Sequence, residues 1–140
     1  MKLILAAGLA AAVALASLAA TCAPFDADDD SGGAGSPTRL ELAPIDELEL
    51  IVRESFPPQY ALQVTSGLPS GCAEFHGATV ERAGDAITVR VQNRMPASPD
   101  VVCTMIYGTH EETVELGSDF VSGREYTVKV NDRTLTFTAQ

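Results

Sequence analysis

The stretch Tyr126-Thr-Val128-Lys-Val130-Asn-Asp-Arg133-Thr-Leu135-Thr-Phe137 sets the strongest limit on what this chain can fold into. Apolar residues alternate on both sides of Asn131-Asp132. Period two is the spacing at which side chains share one face of a β-strand. A two-residue turn pairs Val130 with Arg133, Val128 with Leu135, and Tyr126 with Phe137. Both apolar sets then fall on one face, so pattern and turn specify the same register. Thr127, Lys129, Thr134 and Thr136 take the other face.

A second hairpin reads the same way around Gly84-Asp85. It sets Val80 opposite Val89 and Ala78 opposite Val91, with Arg82 facing Ile87 and able to lay its stem along apolar surface. Residues 101–107 (Val-Val-Cys-Thr-Met-Ile-Tyr) form a nearly continuous apolar run, the pattern expected of a strand buried near a sheet centre. Further strands are expected at 47–54, 59–66 and 112–117. Turn signals separate them at Pro57-Pro58, Gly67 to Gly71, Asn93 to Pro99, Gly117-Ser118 and Gly123. A short helix over Ile45 to Glu54 is the alternative for one segment, with acids near its start and the proline pair to end it. Short strands at this spacing predict an all-β fold, an Ig-like antiparallel β-sandwich of about seven strands over residues 45–140. The chain has no Trp, so the antibody-type core tryptophan is absent.

The first part of the chain is different. After Lys2, residues 3–20 are uncharged and Ala-rich, the layout of a signal peptide over residues 1–21. A retained membrane span is the rival, since about 18 apolar residues is the lower limit for crossing a bilayer. Leu18-Ala19-Ala20-Thr21-Cys22 resembles the processing site of bacterial lipoproteins, in which the cysteine carries the lipid. Ala19 and Thr21 stand where the usual pattern has an aliphatic residue and Gly or Ala. The resemblance implies lipidation at Cys22, export, and anchoring to a membrane of the bacterial cell envelope through acyl chains. Each buried methylene contributes roughly 0.8 kcal/mol to such anchoring. Residues 22–44 then hold Asp26, Asp28, Asp29 and Asp30 and a Gly/Ser/Pro-rich stretch, the composition of a flexible linker.

The chain has three cysteines. Export permits a disulfide. Cys72 and Cys103 both fall in the strand-rich part, and pairing them leaves Cys22 for lipid. The segment from Pro57 to Phe137 also resembles small secreted bacterial domains in PPQYALQVTSGLPSGC, VVCTMIYGT and LGSDFVSGREYTVKVN. That resemblance implies an envelope location and a sandwich, and no activity.

The formal net charge of −10 repels phosphate backbones, so no nucleic-acid partner is expected. No P-loop, dinucleotide fingerprint or GxSxG is present, and Gly67-Leu-Pro-Ser-Gly71 puts Pro at the nucleophile position. Cys72, Glu74 and His76 would share one strand face, but oxidation of Cys72 leaves no nucleophile. His76, His110, Met95 and Met105 are ligand types suited to copper, but they show no ligand spacing, and Met105 reads as core. No catalytic, metal or cofactor site is therefore expected. Two stretches read as binding loops: Phe56 and Tyr60 around the proline pair, and Arg94, Met95 and Pro96 in the following Pro-rich stretch. The function expected is a non-catalytic, lipid-anchored interaction or structural module with an envelope protein as partner. An inhibitor of a secreted protease acting near Met95 is the first alternative, and a copper-binding envelope protein the second.

Overall fold

The computed structural model describes residues 36–140. The signal segment, Cys22 and the aspartate run lie outside the described residues. Within them all regular structure is strand: β1 (Thr38–Leu42), β2 (Ile45–Arg53), β3 (Gln59–Leu68), β4 (Glu74–Ala83), β5 (Ala86–Pro96), β6 (Gly108–Gly117), β7 (Glu125–Val130) and β8 (Arg133–Thr138). They form two sheets, β2-β3-β6 and a five-stranded sheet built on β5. The expected all-β sandwich is the fold.

Both hairpins have the register that turn and alternation dictate. Val128 pairs with Leu135 and Tyr126 with Phe137. Val80 pairs with Val89 and Arg82 with Ile87. Each turn opens on a residue in the left-handed region, Asn131 at φ 50° and Gly84 at φ 61°. Glycine lacks the Cβ that makes this region costly, and Asn tolerates it better than most residues. The guanidinium of Arg82 lies 4.3 Å from the ring centre of Phe120. It also donates to the Asp119 carbonyl at 2.7 Å.

The strand expected at 47–54 is β2, Ile45–Arg53, and the helix that was its alternative is ruled out because these residues pair with Gln59–Ser66 of β3. Other expectations are corrected. Thr38–Leu42, read as the end of the linker, is strand β1 and pairs with Gln92–Pro96 of β5. All five residues of β1 are exposed, so main-chain pairing holds it and no apolar pattern announces it. That pairing extends β5 through Arg94, Met95 and Pro96, which are strand residues and not a loop. Val101 to Tyr107, read as a buried strand, belongs to no strand and lies on the surface.

β5 organises the larger sheet. β4 runs antiparallel along one side. On the other side β7 runs parallel to Ala86–Val89, and β1 runs antiparallel to Gln92–Pro96. The C-terminal ends of β1 and β7 meet at Val91. There Asn131 fills the gap: its Oδ1 accepts from the Val91 N–H at 3.0 Å. Its Nδ2 donates to the carbonyls of Ala43 at 2.7 Å and Val91 at 2.9 Å.

The core lies between the sheets. Tyr60, Leu62, Val64 and Val114 face Ile87, Val89, Val91, Tyr126, Val128, Val130 and Phe137. Fully burying each large aliphatic side chain stabilises the fold by about 1.5–3 kcal/mol relative to exposure. Tyr60 is 1 % exposed and belongs to this core, so it is not a binding-loop residue. Its ring centre lies 4.7 Å from Phe120 and 5.1 Å from Phe137. Polar ties also cross the core: Asn93 Nδ2 donates to the Gly67 carbonyl at 2.8 Å, and Arg133 Nε to the Ile45 carbonyl at 3.2 Å. On the edge strand β6, Glu112 pairs with Val64 and so sits on the inner-face register. A charge placed there discourages edge-to-edge association.

Candidate functional site

Of the residues singled out as binding loops, only Phe56 is on an exposed loop. It protrudes alone before Pro57. Arg94 pairs with both Leu40 and Glu74 in the middle of the larger sheet. Its guanidinium donates to Nδ1 of His76 at 3.1 Å. Met95 and Pro96 are half-buried and paired with β1. His110 stacks on Phe75 with ring centres 3.9 Å apart, and its Nε2 lies 3.4 Å from Glu112. Among the described residues no group of three or more His, Cys, Asp or Glu side chains could hold a metal ion. A bulge between Phe75 and Gly77 breaks the alternation of β4, and Cys72 precedes that strand. Cys72, Glu74 and His76 therefore do not form the shared strand face that spacing suggested.

The feature the sequence reading missed is the segment from Val101 to Tyr107, which joins β5 to β6. Val102 is 95 %, Met105 89 % and Ile106 69 % exposed. Apolar side chains so open to water stand out on a chain of net charge −10. Single exposed apolar residues are ordinary, but a contiguous set marks a contact surface. The signal that could have found it was negative. The run lacks alternation, begins just after Pro99-Asp100, and holds at its middle a cysteine whose partner lies in another turn.

The loop is fixed at three points. Cys103 is bonded to Cys72, with Cα atoms 5.5 Å apart at a sequence separation of 31. Both cysteines lie outside the strands. Closing a loop of about this length contributes on the order of 3 kcal/mol in the chain-entropy account. The Gly71 N–H donates to the Thr104 carbonyl at 2.9 Å. The Tyr107 hydroxyl donates to the Asp46 carboxylate, at 2.9 Å from Oδ1 and 3.0 Å from Oδ2. The two glycines are required by this close approach. A Cβ at Gly67 would overlap the Tyr107 hydroxyl, and one at Gly71 would overlap the Thr104 hydroxyl.

The hydrogen bond to Asp46 raises the Tyr107 pKa above the ordinary phenol value, with desolvation and the carboxylate charge acting the same way. A raised folded-state pKa favours the protonated form. Its contribution is complete below the ordinary value of about 10 and is lost as pH rises through the folded pKa. The contact is thus held throughout the neutral range and released in alkali. Gly67→Ala is expected to evict the ring and return Tyr107 to an ordinary phenol titration, followed by tyrosinate absorbance. Asp46→Asn should lower the same pKa without any steric change. An unchanged titration in both variants would refute the contact.

This geometry is carried by a recognised domain. Residues 62–139, from β3 through β8 and including both bonded cysteines, match the ORF11 beta-sandwich domain. The chain belongs to the ORF11 beta-sandwich family. The chain is also similar to proteins of Herpetosiphon aurantiacus. An uncharacterized 10.2 kDa protein in the HgiCIIM 5' region is 30 % identical over 88 residues, 63 % of this chain and 90 % of the relative. A second, in the HgiBIM 5' region, is 32 % identical over 78 residues, 56 % of this chain and 92 % of the relative. The stretch shared with this chain thus covers nearly the whole of these relatives. No solved structure matches the chain.

Proposed function

We propose that this ORF11 protein is a non-catalytic interaction module of the bacterial cell envelope, anchored by lipid on Cys22, and that the Val101–Tyr107 loop is its contact surface. The observation that supports this reading is the combination of exposure and fixation. Val102, Met105 and Ile106 are presented to solvent, while a disulfide, a backbone hydrogen bond and the Tyr107–Asp46 pair hold the loop. A loop already ordered before contact loses less entropy on binding, so more of its burial appears as affinity. The acidic surface disfavours nucleic acid and anionic lipid headgroups as targets for the folded part. The anchor reading rests on the sequence around Cys22.

The full chain purified from its own membranes should have a non-reducing mass of residues 22–140 plus acyl groups and less two hydrogens. An unacylated mass would remove the anchor. A photo-crosslinker at position 105 should capture an envelope protein in intact cells, whereas the same group at the exposed Lys129 should not. Equal capture at both positions, or at neither, would remove the loop from this role.

A further inference from the structure

Resting on that reading, we infer that the partner is a secreted serine protease with an apolar primary specificity pocket, and that Met105 is the side chain the pocket takes. Proteases of this class bind an extended segment. They read its main chain as an added strand and take one side chain into a specificity pocket. Residues 102–107 lie outside both sheets. Among the described residues the backbone N–H and C=O groups of Met105 and Ile106 make no hydrogen bond. They are free to pair with an enzyme's cleft. Of the three most exposed apolar side chains of this loop, Val102 and Ile106 are β-branched and stiff at χ1. Met105 is unbranched and adaptable, the shape that enters a deep apolar slot.

The anchors sit where an inhibitor needs them and a substrate does not. Cys103, two residues before Met105, is bonded to Cys72. The Thr104 carbonyl, one residue before, accepts from Gly71. Tyr107, two residues after, donates to Asp46 and covers Gly67. The tip is open while both flanks are tied to the sandwich.

That arrangement determines the outcome of attack. The enzyme's serine oxygen adds to the Met105 carbonyl carbon, its proton passing to the catalytic histidine. Collapse breaks the Met105–Ile106 bond, and the histidine returns the proton to the Ile106 amine. In an ordinary substrate the amine diffuses away and water takes its place. Here Tyr107 and β6 hold Ile106 beside the acyl group. The amine re-adds, the serine oxygen leaves with its proton restored, and the peptide bond re-forms. No co-reactant is consumed, and the enzyme stays occupied.

The test is titration of the full chain against chymotrypsin, subtilisin and trypsin with small chromogenic substrates. Stoichiometric inhibition of chymotrypsin or subtilisin is expected, with trypsin unaffected. Met105→Lys should weaken the first inhibition about 100-fold and confer inhibition of trypsin, as expected for one central anchor side chain. Position 105 is open to solvent, so the variant should retain the wild-type circular dichroism and melting temperature. The proposal is overturned if neither protein inhibits any of the three enzymes. It is also overturned if inhibition does not follow residue 105, or if Met105–Ile106 is cleaved at the rate of a flexible peptide. Capture of a partner at position 105 in cells, without inhibition in the titration, would sink the protease assignment and leave the interaction reading standing.

Discussion

Asn131→Ala should lower the stability of the sandwich by about 3 kcal/mol, the sum of unmade part-buried hydrogen bonds and backbone strain. For a domain of this size that corresponds to a melting temperature about 15 °C lower. Asn131 does three things at once. Its backbone occupies φ 50°, which begins the β7–β8 turn. Its Oδ1 accepts from Val91, and its Nδ2 donates to Ala43 and Val91. The side chain thus stands in for main chain where β1 and β7 abut along the same edge of β5. Two companion variants separate the parts. Asn131→Gly keeps the backbone conformation and loses the side-chain bonds, so it should lose about 1 kcal/mol less than the Ala variant, the left-handed penalty that glycine escapes. Asn131→Asp keeps the acceptor but turns a carboxylate toward two carbonyl oxygens, and should be no better than Gly at neutral pH. Urea unfolding at constant m-value measures all three. Equal stabilities for wild type and Gly would show that the side-chain bonds contribute nothing.

The sequence announced what is local in this fold. Both hairpins were legible because alternation and turn residues lie side by side in the chain and agree on one register. The pairings it hid are those between distant segments. Nothing in Thr38–Leu42 says strand, since its side chains stay exposed and only β5 holds it. The parallel pairing of β7 with β5 follows no local pattern either. The candidate site was hidden for a related reason. An apolar run such as 101–107 has the same appearance whether it is buried in a sheet or presented to a partner, because periodicity reports burial only when one face is wet. The two methionines show the consequence. Met95 sits in a Pro-rich stretch that reads as a loop, yet β1 converts that stretch into strand. Met105 sits among Val, Ile and Tyr and reads as core, yet the loop's anchors at Cys72, Gly71 and Asp46 keep it on the surface. The cysteine pair was legible by count, but not its role of fixing an open loop.

Tyr60→Ala should be the most damaging single truncation, costing about 4 kcal/mol in the range found for buried aromatic residues. Tyr60 opens the pairing of β3 with β6, and its ring packs in the core at that end of the strand. It reaches Phe137 of the opposite sheet and Phe120 of the β6–β7 connection. Phe120 in turn meets Tyr126 edge-on at 4.8 Å. Removing the Tyr60 ring leaves a void beside Phe120 and Phe137, and Phe137 is held on strand β8 and cannot collapse into it. Its hydroxyl has a separate part, accepting the Gln140 N–H at 2.8 Å and so tying the C-terminus to the smaller sheet. Tyr60→Phe keeps the ring and loses that bond, and should cost only about 1 kcal/mol. The ratio of the two losses decides between core and contact surface for this residue. A large loss for Ala and a small one for Phe identifies a packing role. Near-wild-type stability for Tyr60→Ala, together with lost partner capture at position 105, would instead return Tyr60 to the binding surface. The expected pattern leaves capture by the folded Tyr60→Phe protein unchanged, because the Val101–Tyr107 loop takes its support from Cys72, Gly71, Gly67 and Asp46 rather than from the aromatic end of the core.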